Sequence, residues 1–247
     1  MLVVIPVSAS DNKILPDFCA AVKNFAPYSH EVLYVARPSD VPNLADVSDR
    51  LKGCFREERA HLFDVDGPRG WPVGPNFYWQ QTILHLAKTG NQQPWLWLEM
   101  DCTPLRQGWL DDLDQEYREC GKPFMGMFGE SSVVGKTGKT MLLSEHLVGV
   151  AIYPPQISNY LEIHDHAEFN VAFDYLYQYE MIPRSHESRL MQHGFRTRMF
   201  YEHEGIIKCH DASNLPEGKR HDQPVKPGIA LHHGCIDGSL SKLICIK

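Results

Sequence analysis

Residues 95–105, WLWLEMDCTPL, decide how this chain is read. Trp95, Leu96, Trp97 and Leu98 are apolar in succession, which marks a strand buried on both faces inside an α/β sheet. The apolar run stops at Glu99; Asp101 follows one residue later, then a Thr103–Pro104 turn. In open α/β sheets ligands collect beyond the carboxyl ends of the strands, so this strand delivers two carboxylates to the place where a ligand sits. Alternation along an extended chain turns Glu99 and Asp101 to one side and Met100 to the other. Two adjacent carboxylates repel, which favours a cation between them and a partner. Hard oxygen donors suit Mn²⁺ or Mg²⁺, ions that bridge a carboxylate to a diphosphate. A pair of solvated charges at a strand end satisfies the same pattern, and E-x-D alone does not choose.

Working outward, LVVIPV (2–7) reads as a first strand and SASDNKILP as a polar loop after it. Phe18, Ala21, Val22 and Phe25 share one face of a helix over 17–26. EVLYVA (31–36) is a second strand, followed by a loop with Arg37, Pro38 and Asp40. RGWPVGPN (69–76) is too rich in Gly and Pro for a regular element. Asn76 is placed to cap a helix from Phe77 to about Thr89. Residues 109–120 present Leu110, Leu113 and Tyr117 on one helical face. PFMGMF, HLVGVAIY and GIALHHG (228–234) read as strands, and 168–181 as a helix. Strands alternating with helices predict an α/β fold with a mostly parallel central sheet flanked by helices.

The 247 residues fit one domain with a full core. No apolar run is long enough to span a membrane, and MLVVIPVSAS reads as a strand rather than an export signal. Seven cysteines without a C-x-x-C pair argue against a disulfide framework and for a reducing, cytoplasmic setting. The net charge of −7 speaks against wholesale nucleic-acid binding. It is unevenly spread: residues 184–247 carry 10 Lys and Arg against 7 Asp and Glu, the first 183 residues 14 against 24. A mildly basic final quarter suits a phosphate-bearing partner or is ordinary scatter.

EMDCTPL followed by GWLD resembles the D-x-D region of the GT-A glycosyltransferases, in which an acidic motif after a core strand holds a divalent metal on a nucleotide-sugar diphosphate. Other segments resemble the family in the same order. VVIPVSASD is like its first strand and nucleotide-receiving loop. GWPVGPN is similar to a segment of some phage-encoded members. HLVGVAIYPP (146–155) looks like the strand lining the sugar and acceptor pocket. LHHGCIDGSL (231–240) resembles a C-terminal histidine motif that closes over the diphosphate.

The resemblance implies a single GT-A catalytic domain over 1–247, with a nucleotide-binding half (1–105) and an acceptor-binding half (106–247). It implies Asp101 as the direct metal ligand, with Glu99 on the ribose or a water. His233 is the preferred second ligand because Gly234 follows it, and His232 is the other candidate. Pro6, Ser8, Asp11, Arg37, Trp71, Asn76 and Gly149 fall where a nucleotide sugar would bind. Four of them have a plainer reading: Asp11 in a turn, Arg37 solvated, Trp71 packed in the core, Asn76 as a helix cap. An inverting reaction needs a carboxylate base, for which Asp165, Glu168 and Asp174 are candidates; a retaining one does not. Arg196, Arg198 and Lys242 are possible helpers on the diphosphate.

The implied activity moves a sugar from a nucleotide diphosphate sugar, a UDP-sugar first, to an acceptor hydroxyl. The expected acceptor is 5-hydroxymethylpyrimidine in phage DNA, with a surface glycan as the alternative. HDHAE suggests a different class, a metal-dependent hydrolase built on His164, His166 and Glu168. GESSVVGKTGKT (129–140) mimics a phosphate loop but has five residues, not four, between Gly129 and Gly135; it reads as a Gly/Lys hairpin over a ligand.

Overall fold

The computed structural model describes residues 1–134, 140–163, 171–210, 225–235 and 237–246. Residues 135–139 of the Gly/Lys segment, the His164/His166/Glu168 cluster and Asp165 lie outside them, as do the side chains of Arg196 and Arg198.

The strands are β1 (Leu2–Val7), β2 (Tyr28–Ala36), β3 (Phe55–Leu62), β4 (Trp95–Trp97), β5 (Thr103–Pro104), β6 (Phe124–Val134), β7 (Thr140–Tyr153), β8 (Ser185–Glu187), β9 (Met191–His203), β10 (Ile206–His210) and β11 (Leu231–Cys235). The α-helices are α1 (Leu15–Asn24), α2 (Val41–Leu51), α3 (Val73–Lys88), α4 (Trp109–Cys120), α5 (Phe173–Leu176), α6 (Gln178–Met181) and α7 (Ser239–Ile246). The main sheet has the order β3-β2-β1-β4-β7-β6-β8, and only β7 runs against the rest. A second sheet, β10-β9-β11-β5, stands beyond the carboxyl end of β4.

Alternation along β1 divides the core. Val3, Ile5 and Val7 join Phe18 and Val22 of α1, Val47 of α2, and Trp109 and Leu113 of α4 on one face. Leu2 and Val4 join Trp95, Trp97 and Tyr153, with Trp79 and Ile83 of α3, on the other. Helices thus cover both faces, which is why the central strands are apolar throughout.

The expected strands at 2–7, 31–36 and 95–98 and the helix at 109–120 are present. The helix expected from Phe77 starts at Val73, so Asn76 sits inside it and is no cap. The helix expected over 168–181 is, among the described residues, two short turns, α5 and α6. β3 had no sequence signal because FREERAHL lies at the sheet edge and its side chains are mostly exposed. Nor does the chain stay extended after β4. Cys102 N donates to Glu99 O at 3.0 Å, closing a turn, while Met100 packs in the core beside Leu98. The two carboxylates therefore converge through a turn and not through strand alternation.

Candidate active site

β4 pairs with β1 only opposite Leu2–Val4. Beyond that pairing the sheet opens into a cleft of about 530 Å³. Pro6, Ser8, Asp11, Arg37, Trp71, Glu99 and Asp101 all line it. So do Lys13, Arg69, Tyr78 and Trp97, which the sequence reading left out; Arg69 sits at the head of the quoted Gly/Pro loop.

Two of the lining residues, Glu99 and Asp101, converge with His233 of β11: the three bring one donor atom each within 4.8 Å of one another. His233 Nε2 lies 3.3 Å from Asp101 Oδ1 and 3.5 Å from Glu99 Oε2. β11 places the histidine: His232 and Leu231 pair antiparallel with Thr103 and Pro104, and the amides of Gly234 and Cys235 both donate to Asp101 O, at 3.2 and 3.0 Å. Gly234 reaches that geometry at φ +96°, where a side chain would be strained. Trp97 Nε1 donates to Glu99 Oε1 at 3.0 Å and fixes the second carboxylate. His232 faces the other way, edge-on to Phe200 at 5.1 Å and buried, and is set apart from the trio.

The trio is electrostatically loaded. Burial opposes protonation of His233, but the carboxylates of Asp101 and Glu99 outweigh it and push the imidazole up to about 10. Burial, then the negative charges of Glu99 and Asp101, push Asp11 up to about 7. Asp101 Oδ1 is buried and accepts no hydrogen bond of ordinary geometry. A buried, unbonded carboxylate oxygen among further acids and an imidazole nitrogen is a donor set that fits a hard divalent cation.

Asp174 stands on α5 with its carboxylate 3.9 Å from His146 Nε2. Burial and the charge of Glu99 push it up to about 7, so it shares a field with the trio. Gly149 supplies a backbone N–H to it. A Cβ at Gly149 would come 3.1 Å from Phe173 Cζ, so the residue's observed role is a close approach of β7 to α5.

The other candidates are more constrained than the sequence suggests. Arg37 is buried, not solvated: its Nε donates to Asp40 Oδ2 at 3.0 Å and its Nη1 to Pro68 O at 2.9 Å, over the Tyr78 ring. Asp40, wholly buried, also accepts from Tyr78 Oη at 2.6 Å and from Ala9 N at 3.1 Å, tying the β1 loop to the second strand. Ser8 Oγ caps the turn that carries Asp11. Trp71 is 68% exposed at the cleft mouth, not packed in the core. Asn76 lines no part of the cleft; its amide donates to Val171 O at 2.9 Å and accepts from Phe173 N at 2.7 Å, clasping α3 to α5. Lys242 pairs with Asp17 at 3.2 Å.

No protein-family model matches the chain, and no curated protein sequence matches it. Solved structures do. The galactosyltransferase LgtC, in complex with donor and acceptor sugar analogues, superposes with a TM-score of 0.50 at 13% identity over 99% of this chain and 95% of that one. Residues 1–349 of Staphylococcus aureus TarS give a TM-score of 0.50 at 15% identity over 76% of this chain. The match spans 57% of the TarS fragment. The chain has the GT-A fold, a mixed α/β sheet flanked by helices, in common with nucleotide-sugar glycosyltransferases. Among the described residues no helix is long and apolar enough to cross a membrane.

Proposed function

We propose that this protein is a metal-dependent glycosyltransferase, moving a sugar from a nucleotide diphosphate sugar, a UDP-sugar first, to an acceptor hydroxyl. The observation that carries the reading is the convergence of His233 with Glu99 and Asp101, two residues that line the same cleft as the β1 loop.

In this reading Asp101 and His233 hold Mn²⁺ or Mg²⁺, with Glu99 beside them. The bound ion would supply positive charge to a departing diphosphate. Ser8, Asp11 and Pro6 border the ribose and base, and Arg37 shapes that wall while held by Asp40. Trp71 stacks on a ring at the mouth. Fixed charges held in place around the cleft would stabilise charge developing on the diphosphate. Asp174 takes the proton of the acceptor hydroxyl in an inverting course; its raised affinity for a proton suits a base working near neutrality. Asn76 and Gly149 act by placing α5, and thereby Asp174. Residues 1–105 form the donor half and 106–247 the acceptor half of one catalytic domain.

For the acceptor we propose 5-hydroxymethylpyrimidine in phage DNA. Support comes from the basic excess in residues 184–247 and from the family resemblance of the Gly/Pro loop. A panel of sugar donors with Mn²⁺, offered hydroxymethylated DNA and simple glycans and read by mass shift, tests both levels. Transfer to glycan alone removes the DNA acceptor. Failure to release nucleotide diphosphate from any donor, with or without acceptor, removes the glycosyltransferase reading.

A further inference from the structure

Each member of the trio is oriented by a contact behind it. The Glu99 carboxylate is held by Trp97 Nε1, and the Asp101 backbone carbonyl by the Gly234 and Cys235 amides. Behind His233 stands His193. β9 and β11 run parallel with His193 directly across from His233, so both side chains rise from the same face of the sheet. Their Nδ1 atoms are 3.0 Å apart, with ring centroids 4.8 Å apart.

Two ring nitrogens at hydrogen-bond distance need one proton between them. His233 Nε2 faces the carboxylates. To donate a lone pair to an ion there, the neutral ring must carry its proton on Nδ1. That proton then points at His193 Nδ1, which must offer a lone pair and hold its own proton on Nε2.

We propose that His193 is the positioning residue of this centre: its Nδ1 accepts from His233 Nδ1–H and locks His233 in the tautomer that presents Nε2 to the cation. The inference rests on the metal reading above. Ligand histidines depend on such a partner, and loss of one typically weakens metal binding about 10- to 100-fold.

The test is titration with Mn²⁺ alone, followed by the electron paramagnetic resonance signal of the free ion, for the full chain and three variants. Wild type binds saturably; Asp101→Asn does not. His193→Leu, which removes the acceptor, weakens Mn²⁺ binding about 10- to 100-fold. His193→Asn, whose side-chain oxygen takes the place of Nδ1, stays near wild type. Should His193→Leu bind like wild type while Asp101→Asn fails, the positioning role is overturned and the metal reading stands. An Asn variant as weak as the Leu variant also overturns the hydrogen-bond role. Absence of saturable binding in wild type overturns the metal reading and this inference with it. A second measurement needs no variant: ¹H–¹⁵N long-range spectra of the Mg²⁺-loaded protein are expected to show His193 protonated on Nε2, and protonation on Nδ1 overturns the proposal.

Discussion

His233 Nε2 lies 3.3 Å from Asp101 Oδ1, although more than half the chain separates the two residues. The contact is built by backbone: β11 pairs with β5 immediately after the acidic turn, and the Gly234 and Cys235 amides close on the Asp101 carbonyl. Carboxylate and imidazole are therefore brought together by the strand ladder itself.

Replacing Asp101 by Asn keeps the shape and removes one negative donor. Nucleotide diphosphate release in Mn²⁺ is expected to fall by about two to three orders of magnitude, matching the several kcal/mol a Lewis-acid ion supplies. Wild-type protein should also melt at a higher temperature in saturating Mn²⁺, by linkage, and the variant should not. An Asp101→Asn enzyme with unchanged turnover would refute the assignment.

Asp174 yields a prediction with a definite sign. Its carboxyl is pushed up to about 7 by burial and by Glu99, and a base must be ionised to act. Turnover should rise with pH, reach half its plateau near pH 7 and level off above. Asp174→Asn should lose the rise and about 10²- to 10⁴-fold in rate. For stability the sign is opposite. The folded carboxyl binds its proton more tightly than the unfolded one, whose value is about 4, so stability contributed at low pH is lost as pH rises from about 4 to about 7. Asp174→Asn should accordingly gain on wild type in denaturant midpoint across that window. Parallel midpoints at all pH values would show that the carboxyl is not perturbed.

Asn76→Ala is expected to act on stability first. It removes both bonds between α3 and the α5 segment and leaves Phe173 N–H buried without its acceptor. The cost is about 1–3 kcal/mol, seen as a lower denaturant midpoint with unchanged slope. If the melting behaviour is untouched while donor affinity drops, Asn76 contacts the sugar after all.

Asp40→Ala strips a buried carboxylate from Arg37, Tyr78 and Ala9 N. Leaving Arg37 buried and unpaired should cost about 3–5 kcal/mol. Because Ala9 N is one of the groups released, the β1 loop should loosen and KM for the donor should rise. A destabilised enzyme with unchanged KM would mean that the loop is held by other contacts.

Much of this protein follows from local patterning. The apolar runs of β1, β2 and β4 and the amphipathic face of α4 are legible because burial on both faces, or on one stripe, leaves a periodic trace. The acidic pair is visible as the place where an apolar strand stops, but E-x-D alone fits solvated charges equally well; the ordered set of resembling segments is what singles it out. β3 left no such trace, since an edge strand exposes its polar residues. Trp71 and Asn76 belong to one Gly/Pro-rich segment, yet one stands in solvent at the cleft and the other is buried as a clasp.

Tertiary structure alone decided how the acids meet and what stands behind His233. The turn closed by Cys102 N, not strand alternation, turns Glu99 and Asp101 together. His233 rather than His232 stands beside the acids because alternation along β11 turns it to the face where Glu99 and Asp101 lie and turns His232 to Phe200. His193 carried no signal, because its role depends on a parallel register between strands distant in sequence. The physical reason is range: hydrophobic periodicity records each segment's exposure to water, whereas a site of charged groups is assembled by long-range ladder pairing that no single segment encodes.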